Sequence, residues 1–300
     1  MADRPLPRPI AARPHVDYLV RRSEDVDELR RSLSPYRAYA AYALGQLQPE
    51  LFARSEWWSA RSANGQALLL HSHGGLGSAL FTLGDVDGVE ALLRLHPGPR
   101  HTFLTCQVHH LPAVLRRFHV SEQQSMSRML ADRQSLRPVA GEAHRLAGRD
   151  VRQINRLYRS DGTPAFYSAQ NVEEAVYYGA YDGERLVSVA GTHVVTPADS
   201  IAVIGNVFTH PGYRGRGLAA LVTAAVTRHA LSSCREVVLS VDPRNEPAVR
   251  AYQRIGYREV GRLIEGAAVR RDLGAVASVR RWIAGVRGRR YGAELVSIAT

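Results

Sequence analysis

The chain has 300 residues, 39 basic against 28 acidic side chains, a net charge of +11 and an apolar fraction of 45%. At about 100–200 residues per domain, this length predicts two domains, each with enough apolar residues for its own core. Every basic residue is Arg and none is Lys, which excludes a phosphate-binding loop that needs a lysine. Two cysteines, Cys106 and Cys234, make no disulfide framework. No run reaches the ~18 apolar residues that would span a bilayer, and residues 1–14 lack the apolar core of a secretory signal. A reducing cytoplasm is the expected compartment. The basic balance suits an acidic ligand, either a phosphate-bearing coenzyme or nucleic acid.

Residues 1–15 read as an extended arm rich in Pro and Arg. A first unit is predicted over 16–135. Tyr18–Val20 is a strand candidate, and Ser23 and Glu24 open a helix through Val26, Leu29 and Leu33. A helix after Pro35 carries Tyr39, Tyr42 and Leu47. Strands follow at Trp57–Ser62, Ala67–His71 and Ser78–Leu83, punctuated by Asn64-Gly65 and Gly74-Gly75. Then come a helix through Val89, Leu92 and Leu95, a strand at His101–Cys106, a helix at Leu111–Phe118 and a strand at Gln124–Leu130.

A second unit, 136–271, repeats this order. It has a strand at Pro138–Leu146, a helix capped by Asp150 and a short helix at Val172–Val176. Strands at Tyr177–Tyr181 and Leu186–Val195 are joined by Asp182-Gly183. A strand at Ser200–Thr209 leads to a helix through Leu218, Leu221, Val222, Ala225 and Val226. A strand at Val237–Val241, a helix at Pro247–Ile255 and a strand at Tyr257–Ile264 complete it. The repeat is one of pattern, and duplication of one α/β unit explains it. Residues 272–300 read as a basic helical extension docked on the domain, with Val276, Val279, Ile283 and Val286 on one face beside Trp282 and its arginines in water; binding to a membrane or to nucleic acid is the alternative for such a helix.

The most informative stretch is Thr209-His210-Pro211-Gly212-Tyr213-Arg214-Gly215-Arg216-Gly217-Leu218-Ala219, between an apolar strand and an apolar helix. Gly215 and Gly217 let backbone approach a ligand closely, and the helix start at Gly217 or Leu218 offers unpaired N–H groups and a positive dipole end. Arg214 and Arg216 add charge. The arrangement suits a pyrophosphate. An acidic residue about 20 residues on, as a dinucleotide site wants, is missing.

Arg214 through Ala219 resemble the R/Q-x-x-G-x-G/A signature of the GNAT superfamily of acetyltransferases, and Ile204–Thr209 resembles that family's central strand. Asn245, Ala248, Tyr252, Gly256 and Tyr257 resemble its second motif, N-x-x-A-x-x-x-Y-x-x-x-G-F/Y. The resemblance covers the second unit. It implies two tandem acetyltransferase-like domains of α/β (α+β) type, each a mixed, mostly antiparallel sheet flanked by helices. It implies acetyl-CoA as cosubstrate, no metal, and a small-molecule or peptide amine as acceptor. The amides of Arg214, Gly215, Arg216, Gly217, Leu218 and Ala219 would hold the pyrophosphate. Val207, Phe208 and Thr209 would line the pantetheine arm, with backbone groups of Val207 and Thr209 bonding it. Asn245 would cap its helix and touch the coenzyme, and Tyr252 would be the general acid.

The base is open: His193, Glu173 and Glu174 are candidates, and an amine that arrives neutral needs none. The first unit has Leu83-Gly84-Asp85-Val86-Asp87 where the turn should be, and two carboxylates would repel a pyrophosphate. It reads as a degenerate domain that shapes the acceptor pocket. His71, His73, His109 and His110 lack partners at metal-ligand spacing. A non-catalytic acyl-CoA sensor or nucleic-acid binder is the alternative; an intact Tyr252 argues against it. A homodimer is compatible with the sequence.

Overall fold

The computed structural model describes residues 15–63, 65–73, 77–162, 165–271 and 292–299, with positions 279, 282, 283 and 286. The first half runs β1 (His15–Arg22), α1 (Val26–Leu33), α2 (Ala41–Gly45), α3 (Pro49–Phe52), β2 (Ser55–Arg61), β3 (Gln66–His73), β4 (Ser78–Gly84), α4 (Val86–Leu95), β5 (His101–Cys106), α5 (Leu111–Leu115) and β6 (Phe118–Asp132). The second runs β7 (His144–Leu146), α6 (Val151–Tyr158), α7 (Ala169–Glu174), β8 (Tyr177–Asp182), β9 (Arg185–Thr196), β10 (Ile201–Thr209), α8 (Leu218–Ala230), β11 (Glu236–Val241), α9 (Glu246–Arg254) and β12 (Arg258–Arg270), and β13 (Glu294–Ala299) follows.

Local chemistry accounts for these elements. Asp25 caps α1 by accepting the Asp27 and Glu28 amides at 2.9 Å, and Leu29 and Leu33 at one-turn spacing are buried. Asp150 does not cap α6 as the sequence suggests; its carboxylate turns back to the Ala147 amide at 2.9 Å. The Asp182-Gly183 hairpin forms between β8 and β9, with Gly183 at φ +57°. The turns expected at Asn64-Gly65 and Gly74-Gly75 fall largely outside the described residues. The first strand of the second half covers only His144–Leu146, not Pro138–Leu146.

All strands join one 13-stranded sheet in the order β13-β1-β2-β3-β4-β5-β12-β6-β11-β10-β9-β8-β7. The fold is mixed α/β, the sheet mostly antiparallel and flanked by helices. Among the described residues, only β4–β5 and β10–β11 pair in parallel. The sequence points to a separate sheet for each half, and the structure departs from this in one respect. The two halves have exchanged their last strands. β12 lies on β5 of the first half, β6 lies on β11 of the second, and the two pair antiparallel from Arg258↔Leu130 to Arg270↔Phe118. The exchange leaves neither half with an open edge there.

The end of the chain also differs from the helical extension. β13 pairs with β1, from His15↔Ala299 to Val20↔Glu294. Its alternation decides this: Val296 and Ile298 are buried while Leu295 is exposed. Of the expected amphipathic helix, Val279, Trp282, Ile283 and Val286 are helical and exposed rather than docked; the rest of it lies outside the described residues.

One core joins α4 and α5 to the first half of the sheet, through Val89, Leu92, Leu93 and Val114. Another joins α8 to the second half, through Val222, Val226, Leu239 and Tyr252. A third straddles both halves: Leu29, Leu33 and Leu44 of α1 and α2 pack with Trp57, Leu130, Val203 and Val238. Each fully buried aliphatic side chain stabilises by roughly 1.5–3 kcal/mol, so this straddling core fixes the first half's helices against the second half's central strands.

Candidate functional site

β10 and β11 pair in parallel over four rungs, from Ile201↔Glu236 to Ile204↔Leu239. Both strands continue beyond the last rung, β10 to Thr209 and β11 to Val241. The gap opens where β10 is distorted: its register against β9 shifts between Gly205 and Phe208, and Asn206 sits at φ +53°. Asn tolerates that left-handed conformation better than most residues. Two tyrosines hold it there. The Tyr158 hydroxyl donates to the Asn206 carbonyl at 2.6 Å, and the Asn206 side-chain amide donates to the Tyr177 hydroxyl at 2.9 Å. Sequence reading did not find these two tyrosines as site residues, because nothing local marks them.

Beyond the bulge, Val207 faces the core under α8, and Phe208 packs on the other face against the Tyr158 ring at 5.0 Å. The Thr209 carbonyl accepts from Arg214 Nε at 3.2 Å. The chain then turns through Pro211–Tyr213 into α8. Gly217, the residue before the helix, has φ +78° and supplies no side-chain cap, and no acidic residue stands in the first turn. Gly215 has φ +80°, and a Cβ on either glycine would meet nothing within 4 Å. The first-turn amides of a 13-residue helix therefore face open space. Arg214, Gly215, Arg216 and Gly217 are exposed, and Leu218 and Ala219 are half-buried. Arg214 is tied to Asp161 at 2.9 Å, and Arg216 lies over the Tyr213 ring at 4.8 Å. These residues fit a pyrophosphate: bare amides at a positive dipole end, room above them, and guanidinium groups beside them.

Asn245 caps α9, accepting the Ala248 amide at 3.2 Å. Two turns on, Tyr252 is 7% exposed and packs near Tyr257. Its hydroxyl makes no hydrogen bond among the described residues. Burial pushes its pKa up to about 12, so the phenol stays protonated through the neutral range.

On the far side of β10 lies a cavity of about 570 Å³, lined by Tyr167, Glu174, Tyr177, Thr192, His193 and Asn206 of the second half and by Gln48 and Leu51 of the first. His193 presses on the bare backbone of Gly205, where a Cβ would come within 2.3 Å of the ring. Its Nδ1 meets the Tyr42 hydroxyl at 2.7 Å, and its buried Nε2 has no partner among the described residues. Burial lowers its pKa, the neighbouring Asn206 side chain opposes this, and the positive charge of Arg128 adds to the lowering, so the ring is neutral at pH 7. Of the other base candidates, Glu173 is engaged with the Gly148 amide at 2.7 Å and Glu174 with Gln170 at 2.6 Å. Tyr39 donates to the Thr82 carbonyl at 2.7 Å, and Tyr36 is half exposed.

The corresponding place in the first half is built otherwise. β4 and β5 pair over three rungs, ending at Phe81↔Thr105. The chain then enters α4 at once, and Asp85 occupies the helix end. Its carboxylate accepts the Gly88 amide at 2.8 Å and the Tyr18 hydroxyl at 2.6 Å. Among the described residues, no group of three or more His, Cys, Asp or Glu side chains is placed to hold a metal, and no helix is long and apolar enough to cross a membrane.

Residues 148–257 match the acetyltransferase (GNAT) family. The matched stretch lies wholly within the second half and includes β10, the glycine turn, α8 and α9. No curated protein matches the chain. Among solved structures, a Drosophila protein is similar at 15% identity and TM-score 0.58, over 84% of this chain and 97% of its own. A GCN5-related N-acetyltransferase from Kribbella flavida is similar at 16% identity and TM-score 0.52, over 71% of this chain and 89% of its own. At these identities the likeness concerns the fold. It spans more than the acetyltransferase domain alone, so the first half belongs to the shared architecture.

Proposed function

We propose that this chain transfers an acetyl or other short acyl group from coenzyme A to a primary amine, by direct attack in a ternary complex. The observation that carries this reading is the uncapped start of α8, opening beside the gap between β10 and β11. The thioester supplies an activated carbonyl: the amine nitrogen bonds to its carbon, the carbon–sulfur bond breaks, and the proton shed by the amine balances the one taken up by sulfur.

The amides from Arg214 to Ala219 hold the pyrophosphate, with Arg214 and Arg216 adding charge. Val207, Phe208 and Thr209 line the pantetheine arm. Asn245 sets the start of α9 and contacts the coenzyme. Tyr252 gives its proton to the departing sulfur, for which a phenol without another partner is suited. His193, neutral and with one ring nitrogen unengaged, is the best-placed of the candidate bases for the amine proton. The first half contributes Tyr42, Gln48 and Leu51 to the acceptor side and holds no coenzyme. The working compartment is the cytoplasm, consistent with two buried thiols.

The test is acetyl-CoA with a panel of primary amines, read by release of free thiol. Thiol release that depends on the amine is expected. Tight acetyl-CoA binding with no turnover on any amine would favour a sensor, and no binding would remove the reading.

A further inference from the structure

Arg128 lies on β6, opposite Ser240 of β11 and Gly261 of β12. It is 2% exposed, and none of its three guanidinium nitrogens has a hydrogen-bond partner among the described residues. The buried Glu265 carboxylate attracts Arg128 electrostatically but does not reach it, so the charge has a neighbour while the donor fork has no acceptor. A buried donor fork without an acceptor points to a ligand.

Its position says which part of a ligand. Leu239 makes the last rung with β10, so Ser240 is the first residue of β11 at the open gap, and Arg128 stands beside it. Arg128 shares a sheet face with Leu130, the face covered by α1 and α2 and opposite to α8. The guanidinium carbon lies 5.5 Å from the centre of the Tyr42 ring. Tyr42 in turn bonds His193, which lines the 570 Å³ cavity. Nearby, the Glu265 carboxylate is engaged by the Ser240 hydroxyl at 3.3 Å rather than by Arg128.

We propose that Arg128 is the receptor for the carboxylate of the acyl acceptor, and that the acceptor is a free α-amino acid. A guanidinium fork matches a carboxylate bidentately. Any anion here also faces Glu265, and a carboxylate monoanion meets less repulsion from it than a phosphate dianion would. Arg128 stands one strand from the gap, across β11, so an acceptor that carries its amine close to its carboxylate, as an α-amino acid does, bridges the guanidinium and a thioester lying in the gap. The acceptor enters from the cavity past the His193–Tyr42 pair.

This inference rests on the acyl-transfer reading. Its test compares glycine, alanine and phenylalanine with methylamine, ethylamine and phenethylamine, in the parent and in Arg128→Met. The parent should favour the amino acids in kcat/KM. The variant should lose that preference through a rise in acceptor KM of at least about thirtyfold, with acetyl-CoA affinity unchanged. Its Tm should change little, because the lost attraction to Glu265 is offset by removal of a buried donor fork that has no acceptor. A fall in Tm with the acceptor preference intact would make Arg128 structural and overturn the proposal. So would a parent that acetylates the decarboxylated amines equally well. A preference for succinyl-CoA over acetyl-CoA that Arg128→Met erases, with acceptors used regardless of carboxylate, would assign the arginine to the donor and overturn it too. If acetyl-CoA does not bind at all, the acyl-transfer reading fails separately. Thermal shift by the same amino acids, present in the parent and lost in Arg128→Met, then still reports the carboxylate site, and no shift overturns it.

Discussion

The two strand-to-helix turns, β4–α4 and β10–α8, follow equivalent parallel strand pairs and meet opposite fates. At α4 the helix start is filled from within: Asp85 caps it with a carboxylate and is itself bonded by Tyr18. At α8 the start is left open, with Gly215 and Gly217 in left-handed conformation and no side-chain cap. An N-terminal carboxylate and a bound phosphate compete for the same amides and the same dipole end. One substitution class therefore separates a stabilised helix from an anion site, and a duplicated fold can keep both.

The largest test of that contrast is to make the second turn like the first. Gly217→Asp puts a carboxylate before α8, and acetyl-CoA affinity measured by calorimetry should fall at least ~100-fold, about 2.7 kcal/mol, with the circular dichroism of the parent. Unchanged affinity in the folded variant would remove the anion site from the argument.

The next effect is on chemistry. The α5 helix carries no tyrosine where α9 has Tyr252. Tyr252→Phe should bind acetyl-CoA as the parent does and lose at least tenfold in kcat, since general acid catalysis contributes ~100- to 10,000-fold. Parental kcat would return Tyr252 to a packing role.

The pH profile sharpens this. Burial raises the Tyr252 pKa to about 12 from an ordinary value near 10. A raised pKa means the folded state holds this proton longer than the unfolded chain. Its contribution to stability is thus complete below pH 10 and lost as pH climbs toward 12. The acid stays loaded, so kcat in the parent should show no alkaline loss between pH 7 and 10 that Tyr252→Phe removes.

The smallest effect concerns the first half. Asp85→Ala should cost ~1 kcal/mol of stability through the lost cap, seen as a Tm lower by a few degrees. Calorimetry should still give one coenzyme per chain, because the glycines at this helix start are packed against β3, where a Cβ on Gly84 would come within 2.1 Å of the Gln66 carbonyl oxygen, and leave no open space for a phosphate. Two sites per chain, in parent or variant, would break the comparison.

Much of the second half was legible in the residues themselves. The turn, its glycines, the Asn245 cap and the Tyr252 helix are local, and local spacing declares them through period, capping and turn chemistry. The first half's carboxylate at the turn was legible for the same reason. The partners of these elements depend on the tertiary structure. That β6 crosses to β11 and β12 to β5 depends on which strand covers which edge, and an apolar alternation fits either neighbour equally well. That Val296 and Ile298 close β13 onto β1 depends on a pairing across almost the whole chain. The acceptor side is the clearest case. Tyr42, Arg128 and His193 stand far apart in sequence and carry no motif, and only the strand exchange and the straddling core bring them into one cluster, Arg128 over the Tyr42 ring and Tyr42 on His193. Sequence alone determines the elements and the open glycine turn, because those follow from neighbours along the chain. The tertiary structure decides the cluster proposed to take the acceptor, because it is made of residues that become neighbours only when both halves share one sheet.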